Sequence, residues 1–355
     1  MKVKGILYSL AALALVGAAM VCVCLRVPVV MNGDDALLAA ATLTISKGNV
    51  NTAVKVPKRK NIPKKKNTNT PKVTQPVTSS NFSANYYNTF SNHINAKKYP
   101  VYTKQFVAGG KKYQNFYVKN NTNLSLDIGK SLNSPLGFKL EKTEDVQVLI
   151  YHTHTGESYL DCDVGYYYSD YYPRTSDNRY NVTRVGEEIA KSLKAAGIGV
   201  IHDTTEHDAA YTGSYLRSRK TVNSYLKKYP KIKVTLDIHR DAIGAENYKV
   251  KPTFTYKGKK GAQIMIMSGY DSDGSLNFPK WNYNLRFALK LQQKCAADYA
   301  GMTRPLDFGN FAYNMNINTG SLLVEFGTDS NTLEEAKYSG KLFGKALAQV
   351  LQNNS

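Results

Sequence analysis

The stretch VLIYHTHTGESY, residues 148–159, joins a strand signal to a cluster of metal-ligand side chains. Its first four residues are aliphatic or aromatic, and such a short apolar run predicts a buried strand. Directly after this run, His152, His154 and Glu157 occur within six residues. Imidazole and carboxylate groups are ligands for a borderline metal such as zinc. The stretch therefore predicts a strand that ends in a metal site.

Apolar runs and amphipathic stretches alternate along the chain from residue 146 onward. The first amphipathic stretch has apolar side chains at helical spacing, and Gly197 follows it where a C-terminal cap is expected. These patterns predict strands at 146–151, 198–202, 232–238, 263–268 and 321–326, and helices at 183–196, 215–229, 281–299 and 333–352. The alternation predicts an α/β fold with a mostly parallel sheet flanked by helices.

Ligand-type residues follow three of the predicted strands. His154 and Glu157 come after the first strand, His239 follows the third, and Glu325 lies near the end of the last. Because sites of such sheets form at the carboxyl ends of the strands, we expect these residues to meet. A His, Glu and His set with a fourth position open to water is the arrangement of catalytic zinc sites. We therefore predict His154, Glu157 and His239 as ligands of Zn²⁺, which would lower the pKa of a bound water and polarise a carbonyl.

Hydrolysis also needs a group that takes a proton from water and returns it to the leaving amine. Glu325 is the predicted base, since it is a lone carboxylate in an apolar strand, where burial raises the pKa of a carboxyl. Arg240, which follows His239 directly, is predicted to stabilise the oxyanion electrostatically.

Two positions in this ligand set have alternatives. His152 is either a supporting residue or the ligand in place of His154, since alternation along a strand would point the two side chains to opposite faces. Glu187 and Glu188 open a predicted helix, where carboxylates are common for electrostatic reasons, and either could replace Glu157.

Further polar residues surround the predicted ligands in the sequence. Asp237 and Asp241 flank the His-Arg pair and are expected to orient a His or Arg side chain. His202, His207 and Asp208 follow the second predicted strand, and we expect them at the rim of the site or in contact with substrate.

The charge of the chain is high and unevenly distributed. The formal net charge is +20, and residues 36–126 contain no Asp or Glu. Such a region is either a solvated tether or a segment attracted to an anionic surface, such as lipid headgroups or a cell wall. No helix-turn-helix or zinc-finger pattern accompanies the charge, so nucleic acid is not an expected partner.

The N-terminal residues predict a membrane location. Lys2 and Lys4 precede an almost uncharged run over residues 5–25, whose length suits a single span. Lysines before the span favour a cytoplasmic N-terminus, so the rest of the chain would lie outside the membrane. Residues 1–26 are thus predicted as a cytoplasmic stub and anchor. The alternative is a cleaved signal, for which Ala18-Ala19 offers small residues.

Composition divides the remainder into three predicted segments. Residues 27–81 are rich in Pro, Lys, Asn and Thr, and predict an extended basic linker. Residues 82–144 predict a small β-rich region whose tyrosines either pack as core or form a sugar- or peptide-binding face. Residues 145–355 are the predicted zinc hydrolase domain.

No CxxC pair occurs, and nothing in the sequence supports a bridge between Cys162 and Cys295.

Three segments together resemble the stage II sporulation protein P family. They are LIYHTHTGESY at 149–159, LDIHRDA at 236–242 and LVEFG at 323–327, the last followed by Asn331-Thr332 and Glu334-Glu335-Ala336. The resemblance covers roughly residue 121 to the C-terminus. It implies a membrane-anchored peptidoglycan hydrolase of endospore-forming bacteria, with N-acetylmuramoyl-L-alanine amidase activity and endopeptidase activity on peptide cross-links. It also implies a role in engulfment together with a lytic transglycosylase, stage II sporulation protein D.

The resemblance further implies a catalytic domain similar to zinc amidases, which share a core with zinc carboxypeptidases. In these relatives an early His, a Glu and a later His bind zinc and a late Glu serves catalysis, which corresponds here to His154, Glu157, His239 and Glu325. The amidases usually show a Gly-His-Gly-Gly turn and take their Glu ligand further along. This chain instead has His-Thr-His-Thr-Gly-Glu, which is nearer the His-x-x-Glu of the carboxypeptidases.

Two alternative functions are a non-catalytic wall-binding scaffold and a zinc carboxypeptidase that acts on stem peptides.

Overall fold

A mixed eight-stranded sheet forms the centre of the part of the chain that the computed structural model describes, residues 93 and 95–354. The predicted anchor at 1–26 and the predicted linker at 27–81 lie outside the described residues. Within residues 93 and 95–354, no helix is both long enough and apolar enough to cross a membrane.

Helices follow strands along the chain, with five consecutive strands between the third and fourth helices of the described residues. The helices and strands are β1 (Lys98–Lys104), β2 (Lys111–Tyr113), β3 (Phe116–Asn120), α1 (Ile128–Asn133), β4 (Val146–Tyr151), β5 (Tyr166–Tyr168), α2 (Thr183–Ala195), β6 (Gly199–His202), α3 (Ser214–Lys228), β7 (Val234–Asp241), β8 (Gly244–Ala245), β9 (Tyr248–Tyr256), β10 (Lys259–Ala262), β11 (Ile264–Gly269), α4 (Trp281–Asp298), β12 (Leu306–Gly309), a 3₁₀ turn (Met315–Ile317), β13 (Ser321–Thr328) and α5 (Leu333–Gln352).

The central sheet has the strand order β2-β3-β12-β11-β13-β7-β4-β6. Strands β13, β7, β4 and β6 are parallel neighbours, and so are β3, β12 and β11. The pairs β11 with β13 and β2 with β3 are antiparallel. The expectation of an α/β fold is therefore confirmed, whereas a mostly parallel sheet describes only part of a mixed one. An apolar run has the same pattern in either direction, so periodicity alone does not give the direction of β11.

The predicted elements agree with the structure within a few residues. Strand β4 and helix α5 have the predicted bounds, and α5 begins with a capping box in which Thr332 and Glu335 exchange hydrogen bonds. Gly197, with φ of +75°, follows α2 in the left-handed conformation that glycine adopts readily. Strand β9 was not predicted, because its sequence YKVKPTFTY contains lysines and a proline, which weaken a strand pattern.

A second sheet has the order β10-β9-β1-β5, with β8 beside β9. Strand β1 pairs with β9 in this sheet, whereas β3 pairs with β12 in the central sheet. Residues 82–144, predicted as a small β-rich region, thus contribute strands to both sheets. The boundary at residue 144 stays a prediction.

Helices cover both faces of the central sheet. Alternate residues of β4 show this arrangement: Val148 and Ile150 belong to the main core together with residues of α2, α4 and α5, while Leu149 and Tyr151 pack with Val222 of α3. Burying an aliphatic or aromatic side chain of this size contributes roughly 1.5–3 kcal/mol. The two-sided burial explains why β4 is an uninterrupted apolar run.

Cys295 is buried in the main core, and neither it nor Cys162 forms a disulfide.

Replacing Lys251 by Met is expected to destabilise the protein by about 3–5 kcal/mol, because it removes one partner of a buried ion pair. The Lys251 side chain is 2% exposed and its Nζ lies 3.1 Å from Glu335 Oε1 and 2.8 Å from Asp163 Oδ1. Lys260 also contacts Asp163, but its side chain is 60% exposed, so Lys260→Met is a matched control expected to change stability by less than about 1 kcal/mol. Urea unfolding of the two variants measures the difference, and equal midpoints would contradict the expectation.

Candidate metal centre

The carboxyl ends of β4, β7 and β13 meet at one edge of the central sheet. Strand β7 lies between the other two and is parallel to both. Glu325 of β13 is the register partner of His239 of β7, and the turn after β4 carries His154 and Glu157. The structure therefore brings together the four residues that the sequence places at three strand ends, as expected for a site at the carboxyl ends of parallel strands.

His154 is a buried imidazole surrounded by other rings. It is 6% exposed, and its Nδ1 atom is buried without a hydrogen-bond partner. Its ring centroid lies 4.5 Å from that of Tyr211, 5.5 Å from that of Tyr215 and 5.3 Å from that of His239. Burial lowers the pKa of His154 to about 4, so the ring is neutral at physiological pH. A neutral imidazole with an unpartnered nitrogen has a lone pair available for a metal.

Glu157 and His239 form a close buried pair. Glu157 Oε2 lies 3.4 Å from His239 Nδ1 and accepts a hydrogen bond of 3.0 Å from the backbone N–H of Arg240. Burial would raise the pKa of Glu157, but His239 and Arg240 outweigh it and hold the pKa well below its usual range. Burial would likewise lower the pKa of His239, but Asp237 and Glu157 hold it well above its usual value. Glu157 is therefore ionised in the folded protein.

Asp237 supports His239 from the side opposite Glu157. Its Oδ1 lies 2.8 Å from His239 Nε2, an ion-pair distance, although the angle falls outside that of a hydrogen bond. The same carboxylate accepts hydrogen bonds from Thr153 N at 2.8 Å and Thr153 Oγ1 at 2.6 Å. The contact with His239 suits the predicted role of Asp237 in orienting a His, which stays a prediction, and the bonds to Thr153 connect β7 to the turn after β4. Carboxylates that touch the second nitrogen of a ligand imidazole set its orientation.

Glu325 is a buried carboxyl beside the pair. Its Oε2 atom is buried and has no hydrogen-bond partner. Burial raises the pKa of Glu325 to about 8; the nearby Asp241 and Glu157 carboxylates add to the shift, while His239 opposes it. A carboxyl whose pKa lies close to neutrality can both accept and return a proton, as general acid–base catalysis requires.

The side chains of His154, Glu157 and His239 are donors of the kinds that zinc binds. Among residues 93 and 95–354, no three His, Cys, Asp or Glu side chains are arranged, as they stand, in a finished metal-binding group. Nevertheless His154, Glu157 and His239 offer two imidazoles and one carboxylate, which zinc accepts. Two tetrahedral zinc ligands with bonds of about 2.0–2.1 Å lie about 3.3 Å apart, close to the 3.4 Å between Glu157 and His239. The unpartnered His154 Nδ1 completes a set that fits zinc.

His152 points away from this set. Its Nδ1 donates a hydrogen bond of 2.8 Å to the carbonyl of Ile238, and its Nε2 lies 2.9 Å from His202 Nε2. Because one ring nitrogen is thus a donor, the other accepts from His202. Burial, together with the nearby His202, lowers the pKa of His152 well below its usual value. The geometry suits the supporting role that the sequence offered for His152.

Arg240 is engaged with backbone carbonyls. Its Nε donates to Ser158 O at 3.3 Å and its Nη2 donates to Pro173 O at 2.8 Å. With the N–H that bonds Glu157, Arg240 fixes the turn that carries this carboxylate. No contact supports the predicted oxyanion role, which stays a prediction.

Asp241, predicted to orient a His or Arg, and Glu187, the alternative ligand, have partners outside the trio of His154, Glu157 and His239. Asp241 pairs with Arg304 at 2.7 Å, a residue that the sequence analysis did not single out. Glu187 pairs with Arg184 and Lys191 on the surface of α2, where it resembles an ordinary helix carboxylate more than a ligand.

Of the three residues expected at the rim, His207 and the side chain of Asp208 are buried, and His202 is half-buried. His202 bonds His152, and His207 is 2% exposed, with its Nδ1 donating to the carbonyl of His152 at 2.7 Å. Asp208 accepts a hydrogen bond of 3.0 Å from Gly156 N and pairs with Arg174. The expected rim position was wrong for His207 and for the Asp208 side chain, because both bond to the backbone of residues 152–156 after β4, while contact with substrate stays a prediction.

The aromatic residues around His154 were not predicted from the sequence. Tyr211 and Tyr215 contact its ring, and Tyr313 stacks on Tyr215 with centroids 5.3 Å apart. The chain contains 26 tyrosines, so a tyrosine gives little signal by itself. The position of Tyr211 in the loop between β6 and α3, and of Tyr215 in the first turn of α3, was the available clue.

Comparison with known proteins identifies a family. A family model described as stage II sporulation protein P matches residues 36–350. The stage II sporulation protein P of Bacillus subtilis strain 168 is 32% identical over 202 residues. This match covers 53% of the chain and 47% of the relative, so the chain spans about half the length of the curated relative it matches.

Solved structures give a weaker likeness. The N-acetylmuramoyl-L-alanine amidase AmiC2 of Nostoc punctiforme has a TM-score of 0.34 and 12% identity, covering 60% of this chain and 98% of that chain. The CwlD amidase of Clostridioides difficile, in complex with the GerS lipoprotein, also has a TM-score of 0.34 and 12% identity, covering 58% and 97%. TM-scores at this level support no conclusion, so the family assignment rests on the sequence matches.

Proposed function

The chain belongs to the stage II sporulation protein P family, and from this membership and the geometry of the site we propose that it is a peptidoglycan hydrolase. The bond cleaved is the amide between N-acetylmuramic acid and L-alanine, with peptide cross-links as a second substrate. The observation that carries the proposal is the meeting of His154, Glu157 and His239 at one sheet edge, with the buried Glu325 beside them.

His154, Glu157 and His239 would hold a zinc ion in this proposal. When bound, zinc supplies Lewis-acid activation of water and of the scissile carbonyl. The protein's own contribution is positional: Asp237 and Thr153 hold His239, while the backbone N–H of Arg240 holds Glu157. We assign Arg240 a positioning role on these contacts, in preference to the oxyanion role expected from its place in the sequence.

Glu325 is the proposed proton carrier. It takes the proton from the attacking water and returns it to the nitrogen of the leaving L-alanine, so that the carboxyl ends the cycle in its starting state. Its unpartnered buried Oε2 leaves one oxygen available for this exchange. Burial, which raises the pKa of Glu325 to about 8, makes the protonated intermediate state accessible near neutral pH.

Replacing Asp237 by Asn is expected to weaken zinc binding by about 10- to 100-fold, because the charge beside His239 Nε2 is removed while the shape is kept. Competition with a chromogenic chelator measures the affinity. Asp298→Asn is the matched control, since Asp298 pairs with Lys294 on α4 and contacts none of the trio. Equal zinc affinity in the two variants would show that Asp237 does not support the ligand.

Product analysis tests the reaction. Mass spectrometry of fragments released from purified peptidoglycan should show free stem peptides that begin with L-alanine. Loss of a single terminal residue would favour the alternative of a zinc carboxypeptidase acting on stem peptides. Absence of any release, with retained binding to the wall, would favour a non-catalytic scaffold. Chelation before digestion, followed by zinc addition, shows whether the release depends on metal.

The location and partners are part of the same proposal. We propose a single N-terminal membrane span over the apolar run at 5–25, with the hydrolase domain outside the membrane. The basic linker would keep this domain near anionic wall polymers, and wall binding that ignored salt concentration would count against such an attraction. A lytic transglycosylase of the stage II sporulation protein D type is the proposed partner in engulfment.

A further inference from the structure

The three members of the proposed ligand set are held in different ways. His239 touches the Asp237 carboxylate at 2.8 Å, and Glu157 accepts a hydrogen bond from the backbone of Arg240 at 3.0 Å. The close neighbours of His154 are instead three aromatic rings, and its Nδ1 is buried without a hydrogen-bond partner. A carboxylate or carbonyl usually orients a ligand imidazole through its second nitrogen. The ring contacts of His154 provide another means of setting the plane of its imidazole.

The Tyr211 ring covers the face of the His154 ring. The two rings are parallel within 1° and their centroids lie 4.5 Å apart. Tyr215 meets the same imidazole edge-on, at 85° and 5.5 Å. A contact on the ring face combined with a contact at the ring edge blocks rotation of the imidazole about its Cβ–Cγ bond. Aromatic pairs in these geometries attract one another beyond the burial of their area.

Arg174 also contacts the Tyr211 ring. The guanidinium carbon of Arg174 lies 5.1 Å from the centroid of the Tyr211 ring, a cation–π distance. Arg174 also pairs with Asp208, and Asp208 accepts a hydrogen bond of 3.0 Å from the backbone N–H of Gly156. The chain of contacts thus leaves the His-Thr-His-Thr-Gly-Glu turn at His154 and returns to it at Gly156. Through Arg174 and Asp208, these contacts fix the position of Tyr211 relative to the turn.

The solvent exposure of Tyr211 distinguishes it from an aromatic residue of the core. Tyr211 is 41% exposed, unlike the core aromatic Phe287, which is fully buried. A ring with so much solvent contact contributes little to the stability of the fold. Its parallel placement on the buried His154 imidazole is a contact with a proposed metal ligand.

We infer that Tyr211 is the positioning residue of His154 and that its ring, stacked on the imidazole and contacted by Arg174, sets the plane of this ligand. The inference rests on the proposed function, since it takes His154 as a zinc ligand. We assign this effect to the aromatic ring, which contacts the imidazole. Tyr211 should accordingly tune metal affinity and ligand geometry without touching the reacting atoms.

The test compares Tyr211→Ala with Tyr211→Phe in the full chain. Tyr211→Ala is expected to weaken zinc binding by about tenfold, at the lower end of the range for residues that support a ligand. Tyr211→Phe keeps the stacked ring and should stay within about twofold of the unchanged protein. Zinc affinity comes from chelator competition, and the visible absorption of the cobalt-loaded protein reports the ligand geometry. Tyr172→Ala removes a tyrosine that is 67% exposed and serves as the control.

The outcomes separate this inference from the proposed function. Equal zinc affinities for Tyr211→Ala and the unchanged protein, or an equal loss in Tyr211→Phe, would overturn the role of the ring. A tenfold loss restored by Phe, with an altered cobalt spectrum in Tyr211→Ala alone, supports it even if the protein cleaves no peptidoglycan. Thermal unfolding of the metal-free variants checks that Tyr211→Ala folds with the stability of the Tyr172→Ala control.

Discussion

Replacement of Glu325 by Gln should lower the rate of peptidoglycan cleavage by about 100- to 10,000-fold, the range that a positioned acid–base group contributes. Glutamine has the shape of the carboxyl but neither accepts nor returns the proton of the attacking water. Glu325 is not one of the proposed zinc ligands, so bound zinc should remain stoichiometric. The loss should appear in kcat, because the proton transfer belongs to the transition state.

The measurement combines release of labelled wall fragments with metal analysis of the same sample. Glu334→Gln is the matched control, since this carboxylate is 77% exposed and pairs only with Lys337 at the start of α5 among its ion-pair contacts in the described residues. It should retain full activity. Full activity of the Glu325 variant would remove Glu325 from the mechanism, and loss of zinc from that variant would make it a metal ligand instead.

The second large effect is expected from His239→Ala, which should lose both zinc and activity. His239 supplies one of three ligands and also lies between the carboxylates of Asp237 and Glu157, at 2.8 and 3.4 Å. Removing it leaves two buried carboxylates without their shared partner, so metal-free His239→Ala should also be less stable than the metal-free unchanged protein. Breaking a buried ion pair by deleting one partner typically costs about 3–5 kcal/mol.

Zinc content after dialysis, wall cleavage and urea unfolding measure the three expected losses of His239→Ala. His93→Ala is the control imidazole, since His93 contacts Asp170 and Tyr168 in the described structure rather than any residue of the trio. Stoichiometric zinc in His239→Ala would exclude His239 as a ligand. Zinc loss with retained cleavage would instead exclude metal from the reaction.

The positions of the strands and of the ligand-type residues were predictable because they depend on local patterns. Strand β4 is buried on both faces, so its apolar run is uninterrupted and its bounds are the predicted ones. His154, His239 and Glu325 each interrupt or follow such a run, and the topology rule for α/β sheets places them at one edge. Their roles in metal binding and catalysis stay predictions until the variants above are measured.

The hydrogen-bond partners of Arg240, His207 and Asp208 were not predictable from the sequence. Arg240 follows His239 in the sequence, but its guanidinium binds Ser158 O and Pro173 O, and only its backbone N–H reaches Glu157. His207 and Asp208 are polar loop residues by sequence, yet they are buried beneath the turn after β4. In each case the deciding neighbour comes from a distant segment.

By itself, the sequence determined the alternation of strands and helices, the family, and the three strand ends that carry His, Glu and His, because periodicity and family motifs are written in contiguous residues. Only the tertiary structure decided the antiparallel direction of β11, the contact of Asp237 with both Thr153 and His239, and the stacking of Tyr211 on His154. These features depend on pairings such as Thr153 with Asp237, which are 84 residues apart. A pairing at that separation is set by how the strands assemble, and no local pattern records it.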